Sequence, residues 1–311
     1  MQAAQYSSYG GPEIIEINDV GQPVVNKGQV LVEVYAASIN PFDLKLREGY
    51  MQKMISLNFP FTIGGDFSGV VTKLGENVSE FKIGDEVYGQ ALVLNGGSGA
   101  IAEFASSNVV NTAYKPKNIN HVQAASLPLV GVSALQALEQ HISLKKGQKI
   151  LINGGSGGIG SIAIQLAKHI GAYVAATASN ESIDFVKRLG ADEVIDYKKE
   201  NVGDILHDFD AVFDTVGGES WDNSIKVLKS GGIIVSMTGV PDPKLTEKYG
   251  VKAIGQNTNT SRENLIRLAE LVEKGIIRPQ VDKVFPIEQT KEAFQYQETS
   301  HPKGKVVISI K

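Results

Sequence analysis

Ile150-Leu151-Ile152-Asn153-Gly154-Gly155-Ser156-Gly157-Gly158-Ile159-Gly160, followed by Ala163-Ile164-Gln165-Leu166-Ala167-Lys168, reads as an apolar strand, a glycine-rich turn and an amphipathic helix. Gly155, Gly157 and Gly160 fill the G-x-G-x-x-G spacing of a dinucleotide site. In that reading the first glycine makes the tight turn, the second admits a pyrophosphate and the third packs helix on strand. Ser156, Gly158 and Ile159 complete the turn at the helix N-terminus, where free N–H groups and the helix dipole favour an anion. Glycine turns also occur wherever a chain needs positive φ, so the flanking strand and helix carry the assignment.

On either side of this stretch the texture differs. The N-terminal third has short alternating runs (Glu13 to Ile17, Gln29 to Tyr35, Gly69 to Leu74, Glu86 to Tyr88) broken by glycine-rich turns, which predicts a β-rich barrel or sandwich. From about Val122, strand and helix patterns alternate: Ser133 to His141 as a helix, then strands at Lys149 to Asn153, Tyr173 to Thr177, Glu193 to Ile195, Ala211 to Asp214 and Gly232 to Ser236. That is the rhythm of a doubly wound parallel α/β sheet. Beyond the helical Glu263 to Glu273, short strands return at Gln280 to Phe285 and Lys305 to Ile310, around a helix near Glu288 to Tyr296. The expected organisation is a β-rich domain over 1–121, a nucleotide domain over 122–258 and a return to the first domain over 259–311, with a ligand cleft between the two.

The 311 residues, 42% of them hydrophobic, suffice for two cores. A formal net charge of −4 without long single-sign runs argues against nucleic acid or an anionic membrane as main partner and for small molecules. The absence of cysteine removes disulfides, thiolate catalysis and Cys-based zinc sites. Met1 to Ser7 lacks a basic and then apolar leader pattern, and no run of 18 apolar residues occurs, so a cytoplasmic protein is expected. His121, His141, His169, His207 and His301 are scattered, which predicts neither a metal site nor a triad. Trp221 is expected in a core or interface.

Nearly the whole chain resembles the zinc-independent quinone oxidoreductases of the medium-chain dehydrogenase/reductase superfamily. The resemblance rests on Ala37 to Asp43, Gly64 to Val71, Gly84 to Val87, Ala124 to Pro128, the glycine turn, Leu189 to Asp192, Phe213 to Gly217 and Gly304 to Val307. It implies a Rossmann sheet inserted into a GroES-like catalytic domain, NADPH as coenzyme and a homodimer. In the zinc-dependent branch a Cys, a His-Glu pair and a second Cys surround the metal; the first two places here look like Asn40 and Gly65-Asp66. A tetrahedral site needs three soft or borderline ligands, so no zinc is expected and alcohol oxidation loses its Lewis acid.

A quinone or an α,β-unsaturated carbonyl is already electrophilic, so alignment with a nicotinamide and one or two donors toward the developing oxyanion suffice. The resemblance makes Asn40, in the Asn-Pro-x-Asp block, and Tyr50, after Arg47-Glu48-Gly49, the candidate donors; their plainer readings are a turn residue before Pro41 and a half-buried loop tyrosine. Asp43 and Arg47 are expected to hold the loop through a charge pair. Reduction of enoyl thioesters is a second enzymatic reading, and a nucleotide-binding redox sensor or structural protein without turnover a third, because binding and turnover share the glycine turn.

Coenzyme choice rests on the end of the second Rossmann strand, where an NAD enzyme places an acid. Thr177, Ser179 and Asn180 stand there instead and favour the 2′-phosphate of NADP. Glu181 comes late for the strand tip. The resemblance adds Tyr197 beside that phosphate and Ser133 near the nicotinamide. Its usual phosphate-binding lysine is Ile183 here, with Lys187 or Arg188 as replacements. Val216, Gly217, Thr238 and Gly239 are expected to pass the nicotinamide ribose, as C-terminal strand ends do.

Overall fold

The computed structural model describes residues 1–218 and 220–311, and the chain divides into two units. One comprises Met1–Leu129, Thr260–Glu273 and Pro279–Lys311; the other comprises Val130–Asn259 and Lys274–Arg278. In chain order the first unit supplies β1 (Gln2–Tyr6), β2 (Glu16–Asp19), β3 (Gln29–Ser38), β4 (Phe61–Thr62), β5 (Asp66–Leu74), β6 (Glu86–Gln90), β7 (Phe104–Asn108) and β8 (Thr112–Tyr114). The second supplies β9 (Lys149–Asn153), β10 (Tyr173–Ala178), β11 (Glu193–Asp196), β12 (Phe209–Asp214), β13 (Leu228–Ser236) and β14 (Lys252–Gly255). The chain then returns through β15 (Val281–Pro286) and β16 (Lys305–Ser309).

In the β-rich unit one sheet runs β15-β16-β3-β5-β6-β8 with β7 also paired to β3, and a smaller sheet runs β2-β1-β4. All its pairings are antiparallel except β15 with β16. The alternating N-terminal runs therefore become half-buried strands around a core that includes Val32, Ile39, Phe67, Val87, Ile101 and Phe294. One run is divided: Pro12 sets the backbone for a 3₁₀ turn over Pro12–Ile14, and only the remainder enters β2.

The second unit is a parallel sheet of order β11-β10-β9-β12-β13-β14. Ile150, Leu151 and Ile152 of β9 are fully buried because this central strand is covered on both faces. The order reverses beside β9, and a doubly wound sheet binds ligands at such a point, outside the C-terminal strand ends. Helix Gly158–Ile170 follows β9 and stops at Gly171, whose φ of 91° closes the last turn in the left-handed conformation.

The changeover between units lies at Leu129/Val130 rather than at 121/122. Helix His121–Ala125 contributes Val122 and Ala125 to a small core with Ala36 of β3 and Val307 of β16, which keeps it with the β-rich unit. Lys274–Arg278 belongs to the second unit, where Gln165 bonds both N–H and C=O of Arg278. The helix expected over Ser133 to His141 is an α-helix over Pro128–Leu135 that widens into a π-helix over Gln136–His141. No helix among the described residues is long and apolar enough to cross a membrane.

Candidate functional site

The glycine turn divides its labour differently from the expected scheme. Gly154, not Gly155, carries the left-handed backbone, with φ +77°, and a Cβ there would lie 2.6 Å from Thr215 Oγ1. Gly155 permits close packing: its Cβ would stand 3.0 Å from Ala176 Cβ and 3.2 Å from Ile164 Cδ1. At Gly160 a Cβ would collide with Gly154 O at 2.2 Å, so this residue lets the helix approach the turn itself. Gly157 is the open one, since a Cβ would meet only Gly154 O, at 3.5 Å. It is the N-cap of helix Gly158–Ile170 and no side chain caps that terminus. Ser156, Gly158 and Ile159 are partly exposed beside it. First-turn N–H groups thus border free space, the physical requirement for a phosphate.

A buried polar network holds this turn. Thr177 Oγ1 accepts from Gly154 N–H at 3.0 Å and donates to Asn153 Oδ1 at 3.3 Å. Asn153 Nδ2 donates to Asp214 Oδ2 (2.6 Å) and Ser224 Oγ (2.7 Å). The fully buried Asp214 also accepts from Ser220 Oγ and from the N–H groups of Val216 and Gly217. The loops after β9 and β12 are therefore tied through two side chains. Sequence reasoning passed over Asn153 and Asp214, although each is a polar residue ending a run of apolar ones, where burial demands a partner.

The remaining candidates in this unit sit around the same C-terminal strand ends. Val216 is exposed, Gly217 has φ +81°, and a Cβ on Gly217 would lie 2.0 Å from Thr238 Oγ1, so the loops after β12 and β13 touch. Thr238 and Gly239 are exposed. Ser179 Oγ reaches Ser182 Oγ at 3.5 Å, and exposed Asn180 opens a 3₁₀ turn over Asn180–Ser182 that includes Glu181. Tyr197 is exposed, and its N–H donates to Ala178 O at 3.3 Å, which sets it beside the end of β10. Ser133 is fully buried, its hydroxyl sharing a 2.7 Å hydrogen bond with Thr258. Trp221 is partly buried against the core and donates to Ser236 Oγ.

In the β-rich unit the decisive group is a buried cluster around Asn40, the N-cap of helix Pro41–Arg47. Asn40 Nδ2 donates to Asp66 Oδ2 at 3.0 Å, and Lys305 Nζ donates to Asn40 Oδ1 and to Ile39 O. Asp66 further accepts from Gln90 Nε2 (2.8 Å) and Leu129 N–H (3.2 Å). Asp43 accepts from Asn40 N–H at 2.8 Å. Burial pushes the Asp43 carboxyl up to about 7; the Asp66 charge adds to the rise, while the Asn40 N–H and Lys305 oppose it. Burial likewise raises Asp66 against the pull of Lys305, and lowers Lys305 against the two carboxylates. Two carboxyls and one ammonium in one dry cluster cannot all be comfortably charged.

Asn40 is thus the turn residue of its plainer reading and also the centre of a charge-oriented amide. Tyr50 is 77% exposed rather than half-buried, on the turn after that helix. Asp43 and Arg47 do not pair with each other. Arg47 is fully buried, bonds Glu48, Glu298 and Gly10 O, and lies over the Phe294 ring. The histidines need one correction as well: His121 Nδ1 stands 2.8 Å from Ser68 Oγ and its Nε2 stands 3.1 Å from Glu86. Ser68 is buried and donates its only proton to Val87 O, so the line of groups lacks an activatable nucleophile.

Two family models match the chain: "Alcohol dehydrogenase GroES-like domain" over residues 26–117 and "Zinc-binding dehydrogenase" over 189–308. The chloroplastic NADPH-dependent alkenal/one oxidoreductase of Arabidopsis thaliana is 39% identical over 99% of this chain and 79% of its own length. The chain belongs to the quinone and alkenal/one oxidoreductases of the medium-chain dehydrogenase/reductase superfamily. Its architecture is that of the quinone oxidoreductase from Coxiella burnetii, with a TM-score of 0.92, 35% identity, and coverage of 100% of this chain and 99% of that one. The Escherichia coli quinone oxidoreductase complexed with NADPH superposes with a TM-score of 0.90 at 25% identity over the full length of both chains.

Zinc, which one family model names, does not fit the residues of this oxidoreductase. No group of three or more His, Cys, Asp or Glu side chains that could hold a metal occurs among the described residues. Asp66 already accepts three hydrogen bonds, and the ammonium of Lys305 raises the local positive potential against a divalent ion.

Proposed function

We propose that this oxidoreductase transfers hydride from NADPH to quinones or α,β-unsaturated carbonyls without zinc. The observation that carries the reading is the open Gly157 position at an uncapped helix N-terminus, beside Gly154, whose backbone is left-handed, and Gly160, where a Cβ would meet main chain at 2.2 Å. NADPH in particular is supported by the NADPH-dependent Arabidopsis relative and the NADPH complex of the E. coli enzyme, and by the hydroxyl of Ser179 and the amide of Asn180 where an acid would select NAD; the hydroxyl of Thr177, also expected there, is buried and committed to Gly154 and Asn153.

When bound, the dihydronicotinamide supplies the hydride and its electron pair. The chain's part is to bind, orient and donate. Ser156 to Gly160 would hold the diphosphate, and Val216, Gly217, Thr238 and Gly239 would line the ribose nearer the nicotinamide. Asp214 keeps the first of these loops in register with the turn. Asn40 is proposed as a donor to the oxygen that gains negative charge. An amide nitrogen has two hydrogens; one is held by Asp66, and the Lys305 contact fixes which end of the amide is nitrogen. Tyr50, free on the surface of its unit, is proposed to stack on or donate to the acceptor.

We further propose a homodimer through β14, the edge strand of the parallel sheet, because its unpaired side is an open template for a second copy. The test of function is NADPH consumption with a panel of simple quinones, enals and enones in the presence of a zinc chelator. Consumption that requires an acceptor and resists the chelator is expected. Full occupancy by NADPH without turnover across the panel refutes the reading.

A further inference from the structure

We propose that Lys198 is the cation that selects a 2′-phosphorylated dinucleotide, an inference that rests on the NADPH reading above. A 2′-phosphate at the end of β10 needs a positive charge nearby, because hydroxyl and amide donors alone bind a dianion weakly in water. The turn that follows β10, Ser179 to Ile183, contains no basic residue. The helix after it, Ile183–Arg188, runs back toward the opposite edge of the sheet, as a crossover between parallel strands must. Lys187 and Arg188 fall in its last turn and so lie at the wrong end.

The chain regains the ligand-binding edge at the end of β11. Asp196 is in register with Ala178, and Tyr197 N–H donates to Ala178 O, so the turn that opens at Tyr197 starts beside the end of β10, where Ser179 and Asn180 follow. Two lysines occupy this turn, and they differ. Lys199 is drawn onto the Asp196 carboxylate at 3.4 Å. The Lys198 N–H donates to Asp196 Oδ1 at 3.1 Å, which fixes its backbone, while its side chain is exposed and its ammonium has no ion pair among the described residues. A cation anchored at the base and free at the tip, beside a tyrosine and two small polar residues, matches the recognition of a sugar phosphate.

The experiment is a binding titration on the full chain with NADPH, NADH, 2′,5′-ADP and 5′-AMP, followed by calorimetry or coenzyme fluorescence. Lys198→Ala is expected to weaken NADPH and 2′,5′-ADP by about tenfold or more, to leave NADH and 5′-AMP within about twofold, and to flatten the salt dependence of NADPH binding. Lys199→Ala is expected to stay within about twofold for all four ligands, and Lys198→Arg to retain the preference. Equal losses for phosphorylated and unphosphorylated ligands, or an unchanged NADPH affinity in Lys198→Ala, overturn the assignment of Lys198 alone. A wild-type protein without preference for NADPH over NADH overturns the coenzyme reading together with it.

Discussion

Asn40 donates its side-chain amide to Asp66 at 3.0 Å, in a place where the zinc-dependent branch of the superfamily is expected to hold metal ligands. The same amide accepts from Lys305, so one neutral side chain lies between an anion and a cation, all buried. This arrangement fixes a rotamer that a lone asparagine would not keep, and it joins three strand ends: β3, β5 and β16.

Lys305→Met should destabilise the protein by roughly 3–5 kcal/mol, since it removes the only ammonium of the cluster and leaves buried carboxyl groups uncompensated. Denaturant unfolding measures this. A loss below about 1 kcal/mol, the worth of an exposed pair, would show that the cluster is not electrostatically coupled.

Asp43→Asn should stabilise the fold increasingly as pH rises. The folded carboxyl titrates about 7, above its ordinary 3.8, so between these values the folded state holds a proton the unfolded state has released. Stability from that proton is present at acid pH and lost as pH climbs through the folded value. The amide retains an acceptor for Asn40 N–H and escapes the loss; the gap should approach about 4 kcal/mol above the window, at about 1.4 kcal/mol per pKa unit. Unfolding curves for both proteins across the pH range would contradict this if their difference were flat.

Gly160→Ala and Gly157→Ala should part company. The first places a Cβ 2.2 Å from Gly154 O and should lower the thermal midpoint; the second meets nothing nearer than 3.5 Å and should melt normally while losing NADPH affinity. Gly157→Asp should abolish binding through charge conflict with the diphosphate. Unchanged nucleotide affinity in a folded Gly157→Asp protein would remove the diphosphate from this turn.

Asp214→Ala should weaken coenzyme binding without contacting the coenzyme, because the N–H groups of Val216 and Gly217 lose their acceptor and the loop loses its register. A cost of about 1–3 kcal/mol in stability is expected for each polar group left buried without a partner. Hydrogen exchange of the 215–218 segment should accelerate; unchanged exchange would mean that the loop is held by other contacts.

Much of this was legible in the chain itself. The all-apolar β9, the glycine turn and the strand–helix alternation identify the parallel sheet because each is a local pattern with a fixed period. The partners of Asn40 were not legible: Lys305 stands 265 residues away, and within Gly304-Lys305-Val306-Val307 it reads as an ordinary strand-edge lysine until antiparallel pairing sets β16 beside β3. The choice of Gly154 for positive φ was hidden for a different reason. The motif assigns roles by spacing, whereas the contact with Thr215, on another strand end, decides which glycine must twist. Lys198 emerges only from the direction in which helix Ile183–Arg188 leaves the site.

Isotope transfer tests hydride delivery by the bound coenzyme most directly. NADPH carrying deuterium at C4 of the dihydronicotinamide, prepared separately in each stereochemical form, is supplied with an enone and zinc-free protein. One of the two forms is expected to deliver its label to the β-carbon of the saturated ketone, in a product as abundant as the NADPH consumed. Saturated ketone without label from either form, or no product while the coenzyme remains bound, would contradict it.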